Sequence, residues 1–309
     1  MVMENITIGK PTYYAITSRF LEVILLILII VGYIGNILNF MILHHEKGLR
    51  LFTKLLFVGQ GFWDIMVLLI PSTRYFILIH SDFDIRSTDK NFFKAHILLT
   101  YLSLDCSVWH LCAISMERVA LVKWPTNSYL RRLSAKHAFF VCLFFVSFGL
   151  CKNVNVMYTE KINDLMAAIL DNIFNIGLPF CIIFYTTKVL LTELKSRVNE
   201  TNTTGKNKTH SPLFAIKMIS IVSIYHVISN FPAAVYFITD SIPSLIVSDF
   251  YLRNVAYTVV SILTISNNSL KFYIYSISTA RVRKNLMEIM GIKALRIQSE
   301  ETSKTISKI

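Results

Sequence analysis

Charged side chains are scarce in this chain, 16% of its 309 residues, whereas 54% are hydrophobic. Soluble domains carry about 25% charged residues, and a single core does not absorb several separate apolar runs of about 20 residues. The shortage excludes an ordinary soluble domain and predicts a polytopic membrane protein. Acids are scarcer than bases, 19 against 31, for a formal net charge of +12. Cysteine is limited to five, at 106, 112, 142, 151 and 181, all in or beside apolar segments. That placement and odd number exclude a loop-borne disulfide framework and predict buried free thiols. Low-complexity tracts are absent too, and the longest polar stretch is 193–212. With no metal-spaced His/Cys cluster, phosphate-binding loop or nucleophile elbow, neither an enzyme, a metal nor a cofactor is expected.

Apolar windows fall near 20–43, 51–79, 92–122, 135–151, 168–192, 213–239 and 250–276. They predict an all-α chain whose residues 20–276 form seven transmembrane helices. The first window is too long for a signal-peptide core and is expected to stay as an anchor. After the last, "STARVRKNLMEIMG" (278–291) sets Val282, Leu286, Ile289 and Met290 at helical spacing opposite basic residues. That pattern fits an amphipathic helix lying on a membrane surface, followed by a cytoplasmic tail at 292–309. With residues 1–19 outside, 20 Lys and Arg fall in inner segments and nine in outer ones. The asymmetry follows the positive-inside rule, so the basic excess points to anionic membrane lipid rather than nucleic acid. Asn5, in Asn5-Ile6-Thr7, is then a glycosylation candidate, while the sequons at Asn199, Asn202 and Asn207 lie inside and stay bare.

The remaining two of the Lys and Arg, Arg118 and Lys271, lie within spans. Lys271 sits in "NNSLKFYIY" (267–275), in the inner half of a span, where a charge costs roughly 2.5 to 3.5 kcal/mol. Such residues face the bundle interior and pair, or snorkel to the interface.

"MERVALVKWP" (116–125) resembles the inner end of the third helix of rhodopsin-like G protein-coupled receptors, with Glu117-Arg118-Val119 at the Asp/Glu-Arg-Tyr motif and Pro125 downstream. "GYIGNILNF" is similar to the first helix, with Asn36 as its signature asparagine. "GFWDIMVLL" resembles the second, with Asp64 as its buried acid. "IGLPF" and "SNFPAAVYF" supply the fifth- and sixth-helix prolines, Pro179 and Pro232. "NNSLKFYIYSISTARVRKNL" resembles the seventh helix running into a surface helix, with Tyr275 at the tyrosine position. The resemblance covers roughly residues 20–290. Within it, "RYFILIHSDFDIRSTDKNFFK" and "DCSVWHLCAISMERVALVKWP" are similar to divergent invertebrate peptide receptors, including flatworm-type orphans.

The resemblance implies a receptor at the plasma membrane, N-terminus outside, that passes binding of an extracellular peptide to a heterotrimeric G protein. A chemosensory receptor for a small molecule is an alternative, and a membrane transporter is the rival from another class. No inverted repeat favours the transporter. The implied activation switch is Glu117, Arg118 and Tyr275; a plain interfacial Glu-Arg pair is the blander alternative. The implied core network is Asp64, Lys271, Asn36, Ser107, Asn267, His226 and Asn230. Relatives build a sodium site around the acid, and Ser107 and Asn267 match two of its ligands. Here Lys271 replaces an asparagine and is expected to pair with Asp64 and make sodium redundant. His226 and Asn230 are expected to join helices by hydrogen bonds, with a pH switch as the alternative for His226. Ligand-binding candidates are Thr100, Tyr101, Asp171, Asn175, Phe237, Tyr257 and Ser261. Asp171 either meets a cationic peptide end or lies in water at the interface.

The sequence also departs from that family. Phe93 stands at the third-helix cysteine, so no outer disulfide is expected. Asn230 replaces the sixth-helix tryptophan, Val119 the motif tyrosine, and Lys271-Phe272 the seventh-helix Asn-Pro pair. Without that proline the seventh helix is expected to run straighter.

Overall fold

The computed structural model describes residues 12–46, 49–81, 83–154, 172–204, 211–240, 249–278 and 280–289. Among the described residues there is no β-strand. The chain forms α1 (Thr12–His45), α2 (Leu51–Val67), α3 (Thr73–Ser81), α4 (Lys90–Lys123), α5 (Ser128–Arg131), α6 (Ala135–Asn153), α7 (Leu178–Thr204), α8 (Ser211–Asp240), α9 (Phe250–Ser278) and α10 (Ala280–Ile289). Long uninterrupted helices suit such apolar sequences because each backbone N–H finds its acceptor within the same segment. Side chains fix several starts: Asp89 accepts from the N–H groups of Asn91 and Phe92 to cap α4, and Asp249 accepts from Tyr251 and Leu252 to cap α9.

Among the described residues, six segments are long and apolar enough to cross a membrane: Ile16–His45, Leu51–Ser81, Lys90–Lys123, Ala135–Asn153, Ile173–Glu193 and Ile219–Asp240. The 29 residues of α9 have the length but not the hydropathy. Ser261, Ser266, Asn267, Asn268, Ser269 and Lys271 dilute its apolar run, and all are buried. Two boundaries differ from the sequence expectation. α1 begins at Thr12 rather than near residue 20, since no proline or glycine breaks the stretch from 12 to 31. α7 continues to Thr204, past the apolar window, on residues that are polar yet helix-compatible.

Prolines reshape two of these columns. Pro71 has no N–H to donate, and the turn around it, Leu68–Ser72, widens to π-helix between α2 and α3. The hydroxyls of Ser72 and Thr73 donate to the carbonyls of Val67 (3.0 Å) and Leu68 (3.3 Å), adding partners where the regular ladder is disturbed. A second π segment, Ile173–Gly177, precedes Pro179 at the start of α7. α9, which holds no proline, runs unbroken.

The long helices close into a ring. α1 packs on α2 and α9, α9 on α8, α8 on α7, and α4 touches α2, α6 and α7 from the middle. Small residues permit the close approaches: a Cβ on Gly32 of α1 would lie 2.8 Å from the Ser269 hydroxyl of α9. Polarity is inverted relative to a soluble protein. Phe139, Phe140 and Ile228 are 64%, 66% and 66% exposed, whereas Asp64 and Lys271 are 2% and 6% exposed. An apolar outside around a polar interior suits a lipid solvent. α10 docks by Val282, Leu286 and Ile289 on the bundle's apolar core, and Asn285 donates to buried Glu46 at 2.9 Å.

Candidate functional site

The interior carries a polar column between two bundle ends, named here by the first and last residues of α1: the Thr12 end and the His45 end. At its centre Lys271 of α9 reaches across to Asp64 of α2. The ammonium donates to Oδ1 at 2.8 Å and Oδ2 at 2.9 Å. Ser107 of α4 donates to the same carboxylate at 2.5 Å. Lys271 also lies 3.4 Å from the Ser107 hydroxyl and from the Asn268 side-chain oxygen. Each buried charge thus has its opposite and several neutral partners, the condition under which a buried pair is tolerable. Asn36 of α1 donates to the Asn268 carbonyl at 3.2 Å, tying a fourth helix side to the group. A cavity of about 20 Å³ adjoins the pair, bordered by Asn36, Asn39, Gln60, Asp64 and Lys271. It has the volume of about one water molecule, and Phe57, Val222 and Phe272 make the rest of its wall largely apolar. Gln60 Nε2 has no other partner among the described residues.

Asn267 does not join this group. Adjacent helical residues point about 100° apart, so Asn267 faces α8, where its amide meets His226 Nδ1 at 3.1 Å. Asn268 takes the expected place, three residues before Lys271 and on its face. Asn230 approaches the same His226 nitrogen at 3.3 Å and donates to the His226 carbonyl at 2.9 Å. His226 therefore joins α8 to α9, whereas the Asn230 amide bonds within α8 to His226 and Ser229, and both stand apart from the central pair.

A second buried pair was not foreseen from the sequence. Asp105 of α4, 1% exposed, accepts from Lys152 of α6 at 2.8 Å and from the Asn153 amide at 2.8 Å. It bolts α6, whose outer face is otherwise largely phenylalanine and leucine, onto α4. Cysteine behaviour also differs in part from expectation. All five are free, and Cys106 and Cys112 are buried, but Cys151 and Cys181 lie on exposed helix faces. A thiol behaves as a small hydrophobe, which suits an apolar surface.

At the His45 end, Glu117 of α4 accepts from the Thr53 hydroxyl of α2, 2.7 and 2.9 Å from its two oxygens. Arg50 and Arg118 stand farther off, each 3.7 Å from it. Arg50 also donates to the Leu130 carbonyl of α5. The Arg118 guanidinium is thus in ion-pair range of its neighbour without hydrogen bonding to it. Its Nε and Nη2 are buried without a partner among the described residues, a state that costs desolvation until an acceptor arrives.

At the Thr12 end, Arg74 of α3 grips Asp84 through Nε (2.9 Å) and Nη2. Arg86, in the short 3₁₀ turn Ile85–Ser87, folds back to donate to His96 at 3.0 Å and Thr100 at 3.3 Å on α4. Tyr75 and Tyr257 hydrogen bond through their hydroxyls. Tyr257 stacks edge-on with Phe237 at 6.2 Å and lies 5.9 Å from Tyr236. Of the expected ligand contacts, Thr100, Tyr257 and Phe237 belong to this cluster, and Ser261 lies buried one turn deeper on α9. Tyr101 is half-buried on α4, and Asn175 sits in the π segment before α7. Asn5, Asp171 and the Tyr275 side chain lie outside the described residues.

Comparison with known proteins finds no matching family model and no matching curated protein. The functional reading rests on these side chains alone. Sequence reasoning missed Arg74 and Arg86 because bases near a span end read as solvated. It missed Thr53 because a lone threonine carries no charge signal. A carboxylate within a span, Asp105, was the signal that demanded a partner such as Lys152.

Proposed function

We propose that the chain is a receptor of the rhodopsin-like G protein-coupled class. In this reading α9 is the seventh membrane crossing, despite its diluted hydropathy. Its 29 residues extend about 43 Å, more than the roughly 30 Å of hydrocarbon, and its polar residues turn inward to buried partners. The N-terminus lies outside the plasma membrane, the His45 end and α10 lie inside, and a peptide reaches the Thr12 end from outside.

The observation that carries the proposal is Arg118. A guanidinium with unmet donors, beside a carboxylate held by a different helix, is poised to exchange one environment for another. Ligand binding at the Thr12 end favours a bundle state that opens the His45 end, where Arg118 meets a heterotrimeric G protein. Such a shift requires a ligand that binds the two states with different affinity. The inverted polarity and the ring of long helices support this reading over a transporter, which would call for paired broken helices in two related halves.

The test is expression in reporter cells exposed to a peptide library, with Arg118→Ala beside the wild type. Peptide-dependent signalling lost in Arg118→Ala supports the proposal; signalling that survives the substitution contradicts the role given to Arg118. Glycan mapping tests the orientation independently. Glycans at Asn199, Asn202 or Asn207 would invert it.

A further inference from the structure

The Thr12 end holds a charge imbalance that its own residues leave unresolved. Arg74 and Arg86 bring two guanidiniums together, and the nearby carboxylate, Asp84, gives both oxygens' side-chain partnership to Arg74. Asp84 offers Arg86 only its backbone contact, accepting from the Arg86 N–H at 3.0 Å. The Arg86 side chain donates to two neutral acceptors, His96 and Thr100, and forms no ion pair among the described residues. Burial, and then the neighbouring Arg74 charge, pushes the Arg86 pKa below its ordinary value, yet an arginine stays charged at neutral pH. The other described acids at this end are engaged elsewhere. Glu22 pairs with His80 and Arg19, Asp240 with Arg253, and Asp89 and Asp249 cap α4 and α9. Among these residues the Arg86 guanidinium is left without an ion pair, near Tyr257, whose ring meets those of Tyr236 and Phe237 in an aromatic wall.

We infer that the Thr12 end is a carboxylate-recognition site, in which Arg86 forms its missing ion pair with the carboxylate of a ligand whose apolar body lies against Tyr236, Phe237 and Tyr257. A guanidinium fork matches the two oxygens of a carboxylate. A single surplus charge balances a monoanion and leaves a phosphate dianion undercompensated. The carboxylate can belong to a small organic acid or to the C-terminus of a peptide. The inference deepens the receptor proposal by naming the ligand chemistry, and rests on it only for the meaning of binding.

The test is thermal unfolding of the full chain in lipid nanodiscs, read with benzoate, indole-3-acetate and Gly-Gly-Phe, each against its amide. The acids are expected to raise the melting temperature and the amides to leave it unchanged. Arg86→Gln is expected to weaken acid binding by about tenfold to a hundredfold, the loss of a charge-assisted bond. Arg86→Lys keeps charge without the fork, retains preference for acid over amide and binds severalfold more weakly; it carries the test if Arg86→Gln does not fold. The arm with the larger shift, organic acid or peptide, identifies the source. Equal shifts by acids and amides, no shift by any acid, or unchanged acid binding in both variants overturns the inference. A chain that binds acids through Arg86 yet activates no G protein leaves the site standing and removes the receptor proposal. One that signals to a peptide but ignores every carboxylate does the reverse.

Discussion

Removing one partner of the Asp64–Lys271 pair is expected to damage the protein far more than removing both. In Lys271→Met the carboxylate keeps Ser107 as its nearby donor and loses contacts at 2.8 and 2.9 Å. In Asp64→Asn the ammonium is left with neutral oxygens only, that of the new amide and two at 3.4 Å, and no counter-charge. Each survivor is an uncompensated charge at the centre of an apolar bundle, a state that costs about 3 to 5 kcal/mol. The double variant holds an amide and a thioether in the same space, and replacing a buried pair by neutral groups is often neutral or stabilising. The two substitutions should therefore be coupled by at least about 3 kcal/mol, against less than about 0.5 kcal/mol for independent sites.

Melting temperatures of the four proteins in one nanodisc preparation read this directly. Both single variants should melt well below the wild type, with the double variant recovering most of the loss. A double variant as unstable as the two singles combined would refute the pairing as an energetic unit. Sodium provides a second arm. Wild-type stability should ignore sodium, because the ammonium already neutralises Asp64. Lys271→Met should gain stability from it, since Asp64, Ser107 and Asn268 then present free oxygens beside the small cavity. Sodium-sensitive wild-type protein would count against the argument.

Four further outcomes follow from the same geometry. Thr53→Val keeps shape but removes the donor to the buried Glu117 carboxylate, and should cost about 1.5 to 3 kcal/mol and, on the receptor reading, raise ligand-independent signalling; lowered stability with unchanged basal signalling would make Thr53 a purely structural anchor. Asp105→Asn and Lys152→Met should rescue one another in a melting-temperature cycle, and additive losses would show that α4 and α6 are held by packing alone. Gly59→Ala places a Cβ 2.6 Å from His110 Nε2, in a ring anchored at Nδ1 by the Cys106 carbonyl at 2.6 Å. Overpacking of about 1 to 3 kcal/mol should lower the melting temperature, and wild-type stability would mean that the ring gives way freely. The Arg74 hydrogen bond, opposed by partial burial, holds the Asp84 carboxyl below its ordinary pKa. A depressed native pKa adds stability above the unfolded value of about 4 and loses it as the pH falls through the lower native value. Asp84→Asn should therefore lower the melting temperature at neutral pH, where the pair contributes, and flatten the acid limb of the melting curve; an unchanged neutral melting temperature with an identical acid limb would contradict the pairing.

The parts legible in the sequence were those where physics forces a pattern. Runs of apolar residues made helices, and a lysine in an oily segment made a partner obligatory. Position by position, the chain itself resolved finer points differently. A one-residue step on a helix turned Asn267 toward His226 and Asn268 toward the pair, and the three-residue spacing from Asn268 to Lys271 was the available clue. The π turn at Pro71 left no periodic trace, because it slips the register once and then resumes an ordinary helix. Lys152 looked interfacial because it ends a short span, although its stem lets the ammonium reach a carboxylate deep on α4. The Arg86 contact belongs to tertiary structure alone, since a loop of mixed charge gives no sign of which base turns inward.

α4 contributes to each of these buried charged groups except the Arg74–Asp84 pair. It supplies His96 and Thr100 to Arg86, Ser107 to the central pair, Asp105 to Lys152, and Glu117 with Arg118 at the far end. Thr100 and Arg118 are about 27 Å apart along its axis at 1.5 Å per residue. The two Lys–Asp pairs are well supplied with partners and gain little from movement, whereas the guanidiniums of Arg86 and Arg118 both gain by finding a carboxylate or carbonyl. A carboxylate bound at Arg86 would weaken its hold on His96 and Thr100, and so loosen one tether between the Thr12 end and α4. Coupling between the ends then requires α4 to have two arrangements that both ends bias. Thr100→Val removes the hydroxyl part of that tether, leaving His96, without touching Arg118; on the receptor reading it should raise ligand-independent signalling while leaving the response to Arg118→Ala intact. Basal signalling equal to the wild type would show that α4 is a passive post and that coupling runs through another helix.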